Sequence, residues 1–485
     1  MTTRKAKVID LMKLGRYAAF LMVVVCGTVE AQTLDAAQRK LARDVFQQLI
    51  ETNTTHLTGS TTTAAERMRA RMLEAGFAPG DMEIVGPSAK RMNLVVRYRS
   101  DVHDAKPVLV IGHLDVVEAK REDWTVDPFK FLEREGYFYG RGTQDMKDSD
   151  ASFVTSFLIL KKQGWKPKRD IILALTADEE SGGENGVDWL LSHRRELVDA
   201  AFAINPDAGG LVTENTRPVE MDLEATEKLY ADFQVSATNA GGHSSRPVPD
   251  NAIYAVADAL VRLERTPFPT ELNAVTRAYL EARAKLETPA RRRLIEQVLA
   301  RPMSQMAAAE LSRDAGYNAT LRTTCVATMI QGGHAVNALP GAAAANVNCR
   351  IMPGHSPEEV RQRLVAIFRD QRLKVEFKDN DGSLQATAPE RVAIAPPPLH
   401  EDVMKPLRAI TQAMWPGTPV VPEMETGASD SIYTMAAGIP SYGFSGMGID
   451  EGDERAHGRD ERIRVEAYYM GVAFTVQLVK ALGEE

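Results

Sequence analysis

Apolar positions along the chain follow two periods. Short apolar runs at residues 92–98, 108–111, 171–177 and 200–204 stop at a turn or at acidic residues and read as strands. Between and before them, residues 34–50, 63–76, 150–163 and 185–191 repeat apolar side chains at helical intervals, two of these segments ending near Gly76 and Gly164. Strands alternating with helices predict an α/β sheet covered on both faces.

The pattern changes near residue 227. A strand at 229–237, an amphipathic helix at 251–265, strands at 323–330 and 345–352, a helix at 356–369 and a strand at 373–377 follow in the order β-α-β-β-α-β, a small split βαβ unit. Residues 266–322 interrupt it and read as a charged helical insertion. The run Ala395-Pro396-Pro397-Pro398 reads as a linker. The first pattern then resumes with a helix at 401–415, a strand at 441–444 and a closing helix at 462–482. The expected division is therefore 32–226 and 394–485 for one domain, with 227–393 inserted as a second.

Residues 1–31 stand apart. Five basic side chains precede the apolar stretch 17–25, which is too short for a stable membrane span, and Val29-Glu30-Ala31 resembles a cleavage site. The reading is a signal peptide, a mature start near Gln32, a secreted or periplasmic protein, and no stable membrane insertion after cleavage. The first 31 residues carry five basic and two acidic groups, so the remainder carries −11 against −8 for the whole chain. That balance argues against nucleic acid as a partner. Cys325 and Cys349 remain, equidistant from Asn337 in two strand-like runs. They are read either as a cross-strand disulfide or as two unconnected cysteines.

The chemistry concentrates at strand ends, where open α/β sheets build their sites. The run 108–111 delivers His113 and Asp115, and a glycine turn at Gly140 and Gly142 delivers Asp145. The strand at 171–177 ends in Asp178-Glu179-Glu180, three acids that repel one another unless a cation is near. The strand at 200–204 ends at Asp207, and His457 lies in a loop before the last helix. Imidazole and carboxylate together suit Zn²⁺. A hydrolytic metal pair also needs a carboxylate that is not a ligand, and adjacent Glu179 and Glu180 can divide those roles.

The runs GHLDVV (112–117), YGRGTQDMKD (139–148), ADEESGG (177–183), NPDAGG (205–210), GGHSSRP (241–247), NALPGAA (337–343), ETGASDS (425–431) and ERAHGRDE (454–461) resemble, in order, those of the co-catalytic zinc exopeptidases of metallopeptidase family twenty. That family includes aminoacylases, carnosine-type dipeptidases and carboxypeptidase S, and the GRGTQDMK run leans toward the last. The resemblance implies a mixed, mostly parallel sheet of the zinc exopeptidase fold, with the second unit as a ferredoxin-like lid that also forms a homodimer. It implies two Zn²⁺ per subunit, with Co²⁺ or Mn²⁺ as substitutes. Asp145 would bridge them, His113 and Asp207 would complete one ion's ligands, and Glu180 and His457 the other's. Asp115 would fix the tautomer of His113, and Glu179 would be the general base. His243 would steady the oxyanion, often from the partner subunit. Asn337, Arg350 and Gly427 would hold the substrate, and the Asp145–Met146 peptide would be cis. The implied activity releases a C-terminal amino acid from a peptide or N-acyl amino acid. Competing readings are an aminopeptidase or dipeptidase that recognises a free amine, and a non-catalytic peptide-binding relative.

Overall fold

The computed structural model describes residues 33–102, 105–181, 183–379, 382–389, 398–450 and 452–484. The expected signal peptide lies outside the described residues, as does the proline-rich linker except for Pro398.

A six-stranded mixed sheet organises the molecule, in the order Met82–Ser88, Arg91–Tyr98, Ile171–Thr176, Val108–His113, Phe202–Ile204, Ser441–Tyr442. The first three strands pair antiparallel and the last four parallel. Every residue of Val108–His113 and Ile171–Thr176 is buried. Side chains alternate between faces along a strand, so a near-continuous apolar run serves two cores at once. Val108 and Val110 pack with the helices Ala36–Ile50, Thr61–Glu74, Lys147–Lys162 and Val465–Glu484. Leu109 and Ile111 pack on the opposite face with Val187, Leu190 and Ile439.

Chain order runs from Val108–His113 to Ile171–Thr176 on one side, then to Phe202–Ile204 on the other. The strand bearing His113 is thus the switch point of the parallel part, where the carboxyl ends open a crevice.

The second unit has the expected β-α-β-β-α-β order: Leu229–Thr238, Ala252–Arg265, Thr324–Gly332, Ala342–Ile351, Pro357–Phe368, Leu373–Lys378. Its antiparallel sheet has a core of its own, built on Phe233, Val235, Val347, Leu364 and Phe368. Cys325 sits opposite Cys349 in the ladder and the two form a disulfide. The insertion holds four helices, Ala274–Leu286, Pro289–Leu299, Gln305–Leu311 and Ala315–Leu321. Each starts on a side chain that accepts a backbone N–H of its first turn: Asn273, Thr288, Ser304 and Asp314.

Three features depart from the sequence reading. Met82–Ser88 is an edge strand that the reading missed. Its Gly86 and Pro87 are poor strand formers, and pairing with Arg91–Tyr98 overrides them. A second sheet exists, in the order Val420–Glu425, Arg217–Glu227, Gly210–Glu214, Ile449–Asp450. Its strands are rich in acids and proline, which masked their alternation. The closing helix begins at Val465, because Arg462–Arg464 pairs as a strand with Tyr137–Tyr139.

Candidate metal centre

Three strand ends and two loops meet at the carboxyl edge of the large sheet. His113 closes its strand, with Thr176 as its ladder partner. Glu179 and Glu180 follow Ile171–Thr176, and Asp207 follows Phe202–Ile204. Asp145 sits between Tyr137–Tyr139 and the helix Lys147–Lys162, and its peptide bond to Met146 is cis. His457 lies in the loop before Arg462–Arg464 and has φ +61°.

Two groups of ligand-type atoms result, His113–Asp145–Asp207 and Asp145–Glu180–His457, with the atoms of each group within 4.8 Å of one another. Asp145 belongs to both. Its Oδ1 lies 3.1 Å from His113 Nε2 and its Oδ2 lies 2.9 Å from His457 Nε2. Asp207 Oδ1 is 3.5 Å from His113 Nε2, and Glu180 Oε2 is 2.9 Å from His457 Nε2. Glu179 is in neither group.

These residues fit a pair of cations. His113 Nδ1 is 3.1 Å from the carbonyl oxygen of Asp115, an acceptor, so that nitrogen carries the proton. Neutral His113 then turns the lone pair of Nε2 toward two carboxylate oxygens, which repels unless a positive charge lies between them. Ligands about 2.0–2.1 Å from one tetrahedral ion stand roughly 3.3 Å apart, close to the spacings found here. The protein alone offers only protons to meet this need. Burial opposes charge on His113, yet Asp207 and Asp145 raise its pKa well above the usual imidazole value. Hydrogen bonds that His457 donates to the carboxylates of Asp145 and Glu180 push it up to about 10. Asp145 is driven below the usual carboxylate range by the two histidines, against the effect of its burial. Burial, with help from Asp207, Asp430 and Glu180, pushes Glu179 up to about 10. Bound cations would reverse that pressure on Glu179.

Asp115 is placed differently from its expected role. The carbonyl, not the carboxylate, is the group at hydrogen-bond distance from His113, and Oδ1 is 3.8 Å from Nδ1. The carboxylate instead accepts the backbone N–H of Glu179 at 3.2 Å and of Glu180 at 3.1 Å. It therefore sets the backbone of the two glutamates.

The sequence reading gave several supporting residues no role. Asp178 is fully buried with φ +62°; it accepts Ser181 Oγ and the backbone N–H of Glu184, and its Oδ1 lies 2.9 Å from His56 Nδ1. Arg91 stands 3.4 Å away. Asp430, pushed up to about 7 by burial, accepts Asn185 Nδ2. Arg141 and Glu461 form a fully buried ion pair at 2.6 Å beside Asp145. A charged residue in an otherwise glycine-rich turn was the available signal for Arg141. For His56, whose motif partner Asp178 lies 122 residues further along the chain, there was none.

The substrate-site candidates belong to neither ligand group. His243 and Asn337 are adjacent, because Gly242–His243 pairs with Ala338–Leu339 and Ser244 N–H donates to the Asn337 carbonyl. Both are exposed, and the His243 ring meets Ser245 Oγ at 2.7 Å. Arg350 lies over the Tyr230 ring, 4.8 Å from its centroid. Gly427 follows Val420–Glu425, in a loop whose Ser429 is tied to Asn205 Nδ2 and Glu227.

A mixed α/β sheet carrying two histidine–carboxylate groups that share one aspartate is the arrangement of a metallopeptidase. The chain matches the model of peptidase family M20/M25/M40 over residues 109–481 and belongs to that family. It is a hydrolase acting on amide C–N bonds. Human N-fatty-acyl-amino acid synthase/hydrolase PM20D1 is 29% identical over 386 residues, covering 77% of this chain and 74% of the human protein. A probable carboxypeptidase S-like protein of Dictyostelium discoideum is 28% identical over 403 residues, covering 80% of this chain and 74% of its own. Among solved structures, the M20 family metallo-carboxypeptidase Sso-CP2 of Sulfolobus solfataricus superposes with a TM-score of 0.64 at 16% identity, over 93% of this chain and all of that one. At that identity the superposition speaks for the fold.

Proposed function

We propose that this protein is an exported di-zinc amidohydrolase that releases a C-terminal amino acid from an N-acyl amino acid or peptide. The observation that carries the reading is Asp145, one oxygen facing a histidine of each ligand group, while Glu179, next to Glu180 in the chain and within electrostatic reach of His113 and Asp207, belongs to neither group. His113, Asp145 and Asp207 would hold one zinc ion, and Asp145, Glu180 and His457 the other, with Co²⁺ or Mn²⁺ as replacements. Bound there, the ions polarise the amide carbonyl and lower the pKa of water.

Glu179 takes the proton of the attacking water and returns it to the leaving amine. Asp115 supports this by fixing the backbone of Glu179 and Glu180. Arg350 offers a planar fork for the substrate carboxylate, with Asn337 and the Gly427 loop as further contacts. His243 stands exposed in the lid, 227–393, and would reach the oxyanion from a partner subunit. Exposed Val326, Met329 and Ile330 on the edge strand Thr324–Gly332 favour a homodimer through that lid. The Cys325–Cys349 disulfide favours export to a secreted or periplasmic location, since such bonds persist outside the reducing cytosol. Similarity to the N-fatty-acyl-amino acid synthase/hydrolase PM20D1 favours an N-acyl amino acid as substrate, and similarity to the carboxypeptidase S-like protein favours a peptide.

Glu179→Gln tests the mechanism. It should keep two metal equivalents and lose about 10²–10⁴-fold in kcat on an N-acyl amino acid. Turnover within a few-fold of the unaltered enzyme overturns the assignment. An N-blocked dipeptide beside its free-amine twin tests the substrate class: hydrolysis of only the free amine overturns the carboxypeptidase reading.

A further inference from the structure

Glu461 takes no part in either ligand group, yet it is fully buried between the loop that carries His457, to which it belongs, and the turn that carries Asp145. Its Oε2 accepts Arg141 Nη1 at 2.6 Å and the Gly142 N–H at 3.1 Å. Its Oε1 accepts the Gln144 N–H at 2.7 Å and the Asp145 N–H at 3.3 Å. Its own carbonyl accepts the Gly140 N–H. One carboxylate thus gathers the turn that presents Asp145.

Arg141 completes the weave in the other direction. Its Nη2 donates to the carbonyls of His457 at 3.3 Å and Gly458 at 2.9 Å. Gln144 adds three bonds of its own: Nε2 to the carbonyls of Asp453 and Arg462, and Oε1 from the Arg455 N–H. Loops 140–145 and 453–462, more than 300 residues apart in sequence, are therefore one hydrogen-bonded body.

From this geometry we propose that Glu461 is a positioning residue for the Asp145–Glu180–His457 metal position, holding two of its three ligands at a fixed separation. The inference rests on the two-metal reading above and adds an asymmetry to it. The His113–Asp145–Asp207 position takes only one ligand from the woven body; His113 and Asp207 sit at the ends of buried strands. Loss of Glu461 therefore weakens the two positions unequally. An amide cannot replace the carboxylate, because its single oxygen leaves backbone N–H groups facing an NH₂.

The test is titration of the metal-free full-length enzyme with Co²⁺, followed by calorimetry and visible absorption. The unaltered enzyme should bind two ions in resolved steps, and His457→Ala should identify the step belonging to its own position. Glu461→Gln should weaken that step by about 10–100-fold and change its absorption band, while the other step moves by at most a few-fold. Removing one charge of a buried pair leaves the other uncompensated and can unfold a protein. The double variant Arg141→Met/Glu461→Gln, with no charge left unpaired, is therefore run beside it and should show the same unequal loss. Equal weakening of both steps, or of neither, in whichever variant folds, overturns the proposal. If the unaltered enzyme binds fewer than two ions, or if His457→Ala removes no step, the two-metal reading falls and takes this inference with it.

Discussion

At the scale of single residues, the centre is organised by what touches the ligands. Asp115 shows this most directly: two backbone N–H groups converge on its carboxylate, and they belong to Glu179 and Glu180. Asp115→Asn offers one oxygen where two are used. We expect a fall in kcat of about 10–100-fold with metal content retained at two equivalents. Metal analysis and steady-state kinetics on the same preparation check it, and unchanged turnover counts against the role. His113, Glu179, Glu180 and Asp207 were legible in the sequence because each stands where an apolar run breaks, and a break at a strand's carboxyl end has a known use; Asp145 was marked by its glycine turn, and His457 only by the family resemblance. The residues that hold the ligands were not legible. Glu461 and Arg141 sat inside quoted motifs, but their partners are hundreds of positions away, and no periodicity encodes a contact of that kind.

At the scale of elements, the alternating α/β pattern and the split βαβ unit could both be read, since buried strands and amphipathic helices have distinct periods. The sheet formed by Arg217–Glu227, Gly210–Glu214 and Val420–Glu425 was hidden. It presents Glu220, Asp222 and Glu423 toward the insertion helix Ala274–Leu286, so its polar positions are covered where the pattern suggests exposure. The disulfide was legible only as one of two alternatives, because equal spacing from a turn suggests register without establishing it. Cys325 pins the edge strand Thr324–Gly332 to Ala342–Ile351. Replacing both cysteines by serine should lower stability by about 2–4 kcal/mol, less if the lid unfolds separately. Thermal melting with and without reductant reads this directly, and the double variant should become insensitive to reductant.

At the scale of the whole molecule, the acids beneath the insertion make stability depend on pH. Burial, with Glu423 and Glu220 nearby, pushes Asp222 up to about 9, and Glu423 is pushed up to about 8. Unfolded, these groups release their protons from about pH 4 upward, while the folded protein retains them. Stability is therefore fully present at low pH with respect to these groups. It falls as pH rises, until the folded carboxyls ionise. Asp222→Asn should flatten the decline in Tm between about pH 6 and about pH 9, and an unchanged slope would remove this group from the account.

The insertion has a mechanical consequence. It lies by sequence within the split βαβ unit, whose His355 meets its Glu271 at 2.9 Å. Its helix Ala274–Leu286 nevertheless packs on Val420–Glu425, with Arg283 Nη1 donating to both carboxylate oxygens of Glu220 at 2.6 and 2.8 Å. Such a segment spans the joint between the two bodies like a strut. If the second unit moves as a lid, as proposed above, it would swing only as far as residues 266–273 and 322–323 flex or the strut lets go, and the range of opening would be set well away from the metal centre.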